Sequence, residues 1–290
     1  MGWSSITVAE VDGRKELARF AELPQALHGD DERFAPPVMA WERYRVDQRR
    51  NPYFERGEAG LFLARQGGRL VGRIAAHVPA DGGEGRFGFW ALVDDGDVAA
   101  ALLEAARSWL AERGCAGMRG PLSFDDGDEP GVLVEGFHAP GRTGLPWHPP
   151  SDHHRLEAAG ARRVATTPMW TIELDPASPR STPAGERATP PQAAGYGDPA
   201  LVLDGIEAVP DVAGALRSTD LRRAWRLARR ARQRDWDEAV VVACTGDPSE
   251  QVPRLAVAAA SAGYRRLVAP LAPDMDAPPA VVHARYQLQW

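Results

Sequence analysis

The chain has 290 residues, 44% of them hydrophobic and 26% charged, with a formal net charge of -6. That length holds one large domain or two smaller ones, and the acidic balance gives no basis for a nucleic-acid partner. No apolar run approaches the ~20 residues of a membrane span, and the first twenty residues lack the charged-then-apolar order of a leader. The two cysteines, Cys115 and Cys244, lie far apart, unlike a disulfide framework, so a cytoplasmic protein is expected. One lysine, Lys15, stands against 33 arginines, a bias of GC-rich coding that accounts for most arginine clusters without function.

In chain order, Ile6–Val11 reads as a strand, and "GRKELARFAELPQALHG" suits a helix with Leu17, Phe20 and Leu23 on one face. "FAPPVMAWERYRVDQRRNPYFERGE" is Pro-interrupted and aromatic, a loop with a helical piece over about 39–49. Three strand-like runs follow, "AGLFLAR", "RLVGRIAAHV" and "GRFGFWALV", with Gly67-Gly68 as a tight hairpin between the first two. A helix over about 98–113 places Leu102, Ala106 and Trp109 on one face, and Gly114 suits the position beyond its end. "GMRGPLSF" and "GVLVEGF" are further strand-like runs. Because a helix links "GRFGFWALV" to "GMRGPLSF", these two strands are expected to be parallel. "SDHHRLEAAGARRVATTPMWTIEL" supplies a helix, a Gly stop and a strand.

Residues 176–199 are rich in Pro, Ala, Gly, Ser and Thr and read as a linker or long surface loop. They separate a first unit, 1–175, from a smaller C-terminal α/β unit, 200–290. The second unit contains "ALVLDGI", an arginine-rich helix over 217–234, "EAVVVAC", a helix near 251–262, and strands "RLVAPL" and "AVVHARYQLQW". The arginine-rich helix is a solvated basic face or an anion-binding element.

The phrases "RRNPYFERGEAGLFLARQGGRLVGRIAAHV", "FGFW", "LLEAARSWLAERG", "RGPLSF", "GVLVEGF" and "HPP" together resemble the GNAT (GCN5-related N-acetyltransferase-like) superfamily, in particular a bacterial GNAT-like subfamily, over about residues 34–174. The resemblance implies a mixed α/β sheet whose two central parallel strands, about 87–93 and 117–124, splay apart. It also implies acyl-CoA in the split, with its pyrophosphate on a turn of pattern R/Q-x-x-G-x-G/A before the long helix. Acyl transfer to an amine follows, with backbone N–H groups of the first parallel strand on the oxyanion. The tail reads as a shortened second GNAT-like unit.

The corresponding turn here departs from that pattern. It is Val93-Asp94-Asp95-Gly96-Asp97-Val98, without the second glycine or the leading Arg or Gln. An aspartate at the helix start satisfies the orphan N–H groups itself. Asp97 is the expected N-cap, and at ~4 Å a like charge costs on the order of 1 kcal/mol even when screened. Acetyl-CoA is therefore implied by the resemblance and disfavoured by the turn. The tetrapeptide recurs as Asp125-Asp126-Gly127-Asp128, followed by Glu129. On the implied fold both copies lie at one sheet edge, where Asp94, Asp97, Asp125 and Asp126 face a cation such as an amine substrate. Neither copy has EF-hand spacing, and His138, His148, His153 and His154 lack metal-site spacing, so no metal is expected.

The candidate acid–base residues are Glu135, a lone acid in an apolar run, with His138 and His148. Arg119 is the alternative ion-pair partner of Glu135 and a candidate substrate contact. Tyr53 and Phe54 are expected on the acceptor side of the cleft, and Trp90 and Trp147 are pocket or core residues. The sequence thus points to an enzyme on a small, amine or cationic, molecule. Its acetyl-CoA use is weakened or lost, and acid–base chemistry such as cyclisation or elimination runs in the same cleft. The alternatives are a conventional acyl-CoA-dependent N-acyltransferase and a non-catalytic binding protein.

Overall fold

The computed structural model describes residues 5–35, 37, 39–79, 84–124, 129–142, 145–174, 201–203, 206–210, 238–244, 248–261, 264–270 and 278–290. The linker 176–199, the arginine-rich helix 217–234 and the second acidic turn with Asp125 and Asp126 lie outside the described residues.

A strand β1 (Ile6–Glu10) leads into α1 (Gly13–His28), followed by α2 (Met39–Arg45) and a short 3-10 turn, Pro52–Glu55. The antiparallel meander is β2 (Glu58–Gln66), β3 (Arg69–Val78) and β4 (Gly85–Leu92). Gly67 and Gly68 form its first turn at φ +57° and +80°, the left-handed conformation that a two-residue hairpin favours and glycine adopts without cost. Next come α3 (Gly96–Ala111), β5 (Gly117–Gly120), β6 (Val132–Glu135), α4 (Ser151–Ala158) and β7 (Arg162–Glu173). The tail adds β8 (Leu201–Leu203), β9 (Ile206–Pro210), β10 (Glu238–Cys244), α5 (Pro248–Ser261), β11 (Arg266–Ala269) and β12 (Val281–Gln289).

The described strands form one mixed sheet in the order β1-β2-β3-β4-β5-β12-β7-β11-β10-β9-β8. β4 and β5 are parallel, as the intervening helix requires. Two apolar layers cover the first half. On one face α3 buries Leu102, Leu103, Ala106 and Leu110 against Phe62, Ile74 and Phe87. On the other, Phe20, Ala21 and Leu23 of α1 meet Leu61, Leu63 and Phe89. Each such side chain contributes roughly 1.5–3 kcal/mol, so both faces of β2–β4 are held by helices rather than solvated.

The last strand, expected within the C-terminal unit, pairs inside the first half of the sheet. β12 lies between β5 and β7, with Tyr286 opposite Gly120 and Ala284 opposite Thr166. Farther along the same strand, Ala284 and Val282 pair with Val132 and Glu135 of β6. Its side chains alternate, and Val282, Ala284 and Tyr286 join the α3-side core. One strand therefore splints both β5 and β6, and it fixes where the loop between them, which carries Glu129, leaves and re-enters the sheet.

Candidate functional site

β4 and β5 pair through Gly85–Met118 and Arg86–Arg119, and Leu122 N–H still donates to Phe87 O at 2.7 Å. At that point β4 bulges. The register against β3 shifts between Arg73 and Ala75, and Phe89 adopts φ +54°, left-handed for a residue that carries a Cβ. Such a conformation costs about 1–2 kcal/mol, and strain of this kind concentrates at functional sites. The bulge releases two consecutive backbone N–H groups toward the β5 side. Phe89 N–H donates to Glu129 Oε2 at 2.7 Å and Trp90 N–H to Glu129 Oε1 at 3.3 Å.

Glu129 is buried, and burial pushes its carboxyl above the usual range; the two amides and the charges of Arg45 and Arg73 act against that shift. Arg73 lies on β3 and donates to Phe20 O at 2.6 Å. Burial lowers its pKa to about 10, against the opposing charges of Glu42 and Glu129. Arg45 donates to Glu42 Oε1 at 2.7 Å. The Phe89 ring centroid lies 4.5 Å from the Arg45 guanidinium and 5.6 Å from that of Arg73. The cluster thus brings the buried carboxylates of Glu42 and Glu129 together with the guanidinium groups of Arg45 and Arg73.

An aromatic wall stands beside it. Phe124 stacks on Tyr53 at 4.5 Å and contacts Phe54 at 5.2 Å and Phe89 at 4.9 Å. His77 Nε2–H donates to Leu122 O at 3.0 Å, and the Tyr53 hydroxyl donates to Val78 O at 3.1 Å and lies 3.0 Å from His77 Nδ1. Tyr53 and Phe54, expected on the acceptor side of the cleft, are therefore tied to the rim of the split.

The first acidic turn has a different arrangement from the one expected. Asp95, not Asp97, is the N-cap of α3: its carboxylate accepts from Asp97 N–H at 2.8 Å and Val98 N–H at 3.4 Å. The extended backbone at Asp95 aims its side chain back at the first turn, while Asp97 already lies within the helix. Asp94 does face a cation, and the cation is this chain's own Arg155, at 2.8 Å. Arg155 also covers Gly96, where a Cβ would lie 3.3 Å from its Nη1. Asp95 holds two of the α3 amides and Arg155 lies over the turn, so a pyrophosphate here would have to displace the Asp95 carboxylate.

Asp152, one helix turn from Arg155, is buried beneath this contact, and burial holds its carboxyl well above the usual carboxylate range. The Trp90 indole N–H is its polar neighbour, yet neither Trp90 Nε1 nor Asp152 Oδ2 completes a well-formed hydrogen bond. Trp90 is a core residue on the α3 side.

The remaining candidates do not converge. Glu135 ends β6 and is exposed, and so is His138 in the following turn. Arg119 pairs with Glu84 at 2.6 Å rather than with Glu135, because its place on β5 faces the strand start of β4. Trp147 is buried, donates its indole N–H to Phe137 O at 3.0 Å and lies under Arg33. Of the neighbouring histidine pair, His153 is buried and His154 exposed. Among the described residues no three His, Cys, Asp or Glu side chains converge as a metal site would require.

His148 is buried, and its Nδ1 accepts from Leu133 N–H at 3.3 Å. Burial, with the nearby His283 and His28, holds its pKa well below the ordinary value, so it stays neutral. His283 donates from Nε2 to Pro146 O at 2.9 Å, and burial lowers its pKa from 6.5 to about 4. The unfolded chain takes up that proton near pH 6.5 and the folded chain only near 4, so stability falls as pH drops through this window. Urea titrations at pH 7, 5.5 and 4 are expected to show His283→Gln losing on the order of 3 kcal/mol less than wild type over that range.

Glu129, Arg45, Arg73 and Arg155 carry no local sequence signal for these roles. Glu129 and Phe89 are 40 residues apart, and only the path of the loop beside β12 brings them together.

No family model matches the chain. It is 36% identical over 144 residues to a bacterial ceramide synthase of Caulobacter vibrioides, covering 47% of this chain and 38% of that protein. It is 30% identical over 166 residues to protein YghO of Escherichia coli, covering 55% of this chain and 42% of that one. The chain thus matches less than half of the length of either relative. Among solved structures, a tandem GNAT protein of the clavulanic acid biosynthesis pathway, without acetyl-CoA, superposes with a TM-score of 0.52 at 16% identity, over 98% of each chain. The chain therefore has the GNAT fold, and the match to a tandem GNAT structure runs over its whole length.

Proposed function

We propose that this GNAT-fold protein is an N-acyltransferase that moves an acyl group from a thioester onto an amine. The observation that carries the reading is the pair of β4 amides at Phe89 and Trp90, turned into the split and already holding an oxyanion, the Glu129 carboxylate. Donors fixed in a dry site before reaction stabilise a developing oxyanion without reorganisation. The match to a protein named a ceramide synthase supports an amine acceptor.

A bound acyl thioester would supply the electrophilic carbonyl carbon. The amide pair would accept its oxygen, and the Tyr53–Phe54–Phe124 wall would exclude water and give an apolar acyl chain a surface. The amine proton would leave to solvent, since the exposed Glu135 and His138 are among the candidates that do not converge on the amide pair; buried, neutral His148, with Nδ1 engaged, is a positioning residue for β6.

The test is thiol release from acetyl and long-chain acyl-CoA in the presence of simple amines and amino alcohols, with the amide product identified by mass. Amine-dependent release is expected. Absence of amide with every donor would reject the reading.

The Arg155–Asp94 pair over the α3 N-terminus favours a second reading, in which the fold binds a small molecule without acyl-CoA. Micromolar binding of acetyl-CoA by calorimetry would remove it.

A further inference from the structure

The amide pair that acyl transfer would use is not free, because a residue of the same chain holds both donors. Glu129 enters from beyond β5 and places one carboxylate oxygen on each N–H. The two bonds are unequal, at 2.7 and 3.3 Å, so the second donor is loosely held. The groups facing the carboxylate are the two amides from β4, Arg73 from β3 and Arg45 from α2. With Glu129 withdrawn, the cluster of Arg45, Arg73 and Glu42 loses one carboxylate. Two unpaired amides then adjoin a cluster that has lost one negative charge, which is an environment suited to an oxygen that gains negative charge.

We propose that Glu129 is a displaceable internal ligand of the acyl-oxygen site, and that an acyl carbonyl oxygen enters by taking its place on the Phe89 and Trp90 amides. This rests on the acyl-transfer reading for the identity of the outside ligand. It adds that the free protein is self-occupied, so that acyl donors bind only in competition with Glu129. The exchange is one of hydrogen-bond acceptors, and no covalent bond changes. It also accounts for the burial of an acid that lies against β4, 3.0 Å from where a Gly88 Cβ would lie.

The test removes the internal ligand and offers an external one. Glu129→Ala vacates the carboxylate position, and sodium acetate, with chloride at equal ionic strength as control, is the probe. Acetate is expected to raise the melting temperature of the variant by several degrees and that of wild type not at all, since wild type already holds a carboxylate there. Acetyl-CoA is expected to bind the variant at least tenfold more tightly than wild type. If Glu129→Ala does not fold, Glu129→Gln replaces it. It keeps the size but offers one acceptor oxygen for two N–H groups, and about threefold tighter acetyl-CoA binding is expected. A folded Glu129→Ala protein that acetate does not stabilise, and that binds acetyl-CoA no better than wild type, overturns the proposal while wild-type thiol release still upholds acyl transfer. Acetate rescue with no thioester bound by any variant overturns the acyl-transfer reading instead and upholds Glu129 as the occupant of an oxyanion site.

Discussion

Gly88→Ala is expected to lose about 3 kcal/mol of stability, together with the geometry of the amide pair. A Cβ on Gly88 would lie 1.9 Å from Leu122 O and 2.5 Å from Leu122 C. These are backbone atoms of the segment leaving β5, so no rotamer change relieves the overlap. β4 must separate from the segment after β5 beside the Leu122 N–H bond to Phe87 O. Overpacking of this kind typically costs 1–3 kcal/mol and at times more, and here the upper end applies because backbone must move. The displaced segment leads toward Glu129, and Phe89 is the next residue on β4. Urea denaturation reads the stability loss, and the acetyl-CoA affinity of the variant reads the site. Gly68→Ala is the control: its φ of +80° is strained for alanine, but nothing lies within 4 Å of the added methyl. It is expected to cost about 1 kcal/mol and to leave binding unchanged.

Arg73→Met is expected to cost about 3–5 kcal/mol, the range for removing one partner from a buried charge network. Methionine fills much of the volume, so the cavity is minor. What is lost is the cation that lies 3.8 Å from Glu42 Oε2, that donates to Phe20 O and that attracts Glu129. The two buried carboxylates keep Arg45 and lose Arg73. Its contacts over Phe20 and Phe89, at 4.9 and 5.6 Å, go as well. The charge argument has a separate consequence. The double variant Arg73→Met, Glu42→Gln restores the balance, so its loss is expected to fall short of the sum of the two single losses by at least 1 kcal/mol. Chemical denaturation of the four proteins closes that cycle. Additive losses would show that packing, not charge, sets the cost.

The two predictions concern the same few cubic ångströms from opposite sides. Gly88 sets how closely β4 approaches β5, and Arg73 sets the charge beneath the bulge. Both bear on whether two amides face the split in the arrangement that Glu129 now holds. The turn before α3 is independent of them: Asp95 serves the helix, and Asp94 serves Arg155 of α4. That contact joins α3 to α4 across the place where the resemblance implies a pyrophosphate. No described helix is long and apolar enough to cross a membrane.

Local pattern by itself determined much of the architecture. The spacing of Leu102, Ala106 and Trp109 declared α3, Gly67-Gly68 declared the hairpin, and a helix between two apolar runs required β4 and β5 to be parallel. These follow from periodicity and backbone sterics, which act within a few residues. The phrases around 34–174 added the GNAT fold. Which aspartate caps α3 was not legible, because Asp95 and Asp97 are equally good capping residues and the choice depends on where the chain leaves β4. Tertiary structure alone decided the site. Phe89 has no sequence mark of a left-handed residue, and its strain is set by the bulge against β3. Arg155 meets Asp94 across 61 residues, and Glu129 meets Phe89 across 40. β12, from the far end of the chain, aligns β5 and β6 so that the loop between them can deliver the carboxylate. Hydrogen bonds and buried charges of that range depend on how strands are ordered in the sheet, and residue order along the chain does not encode it locally.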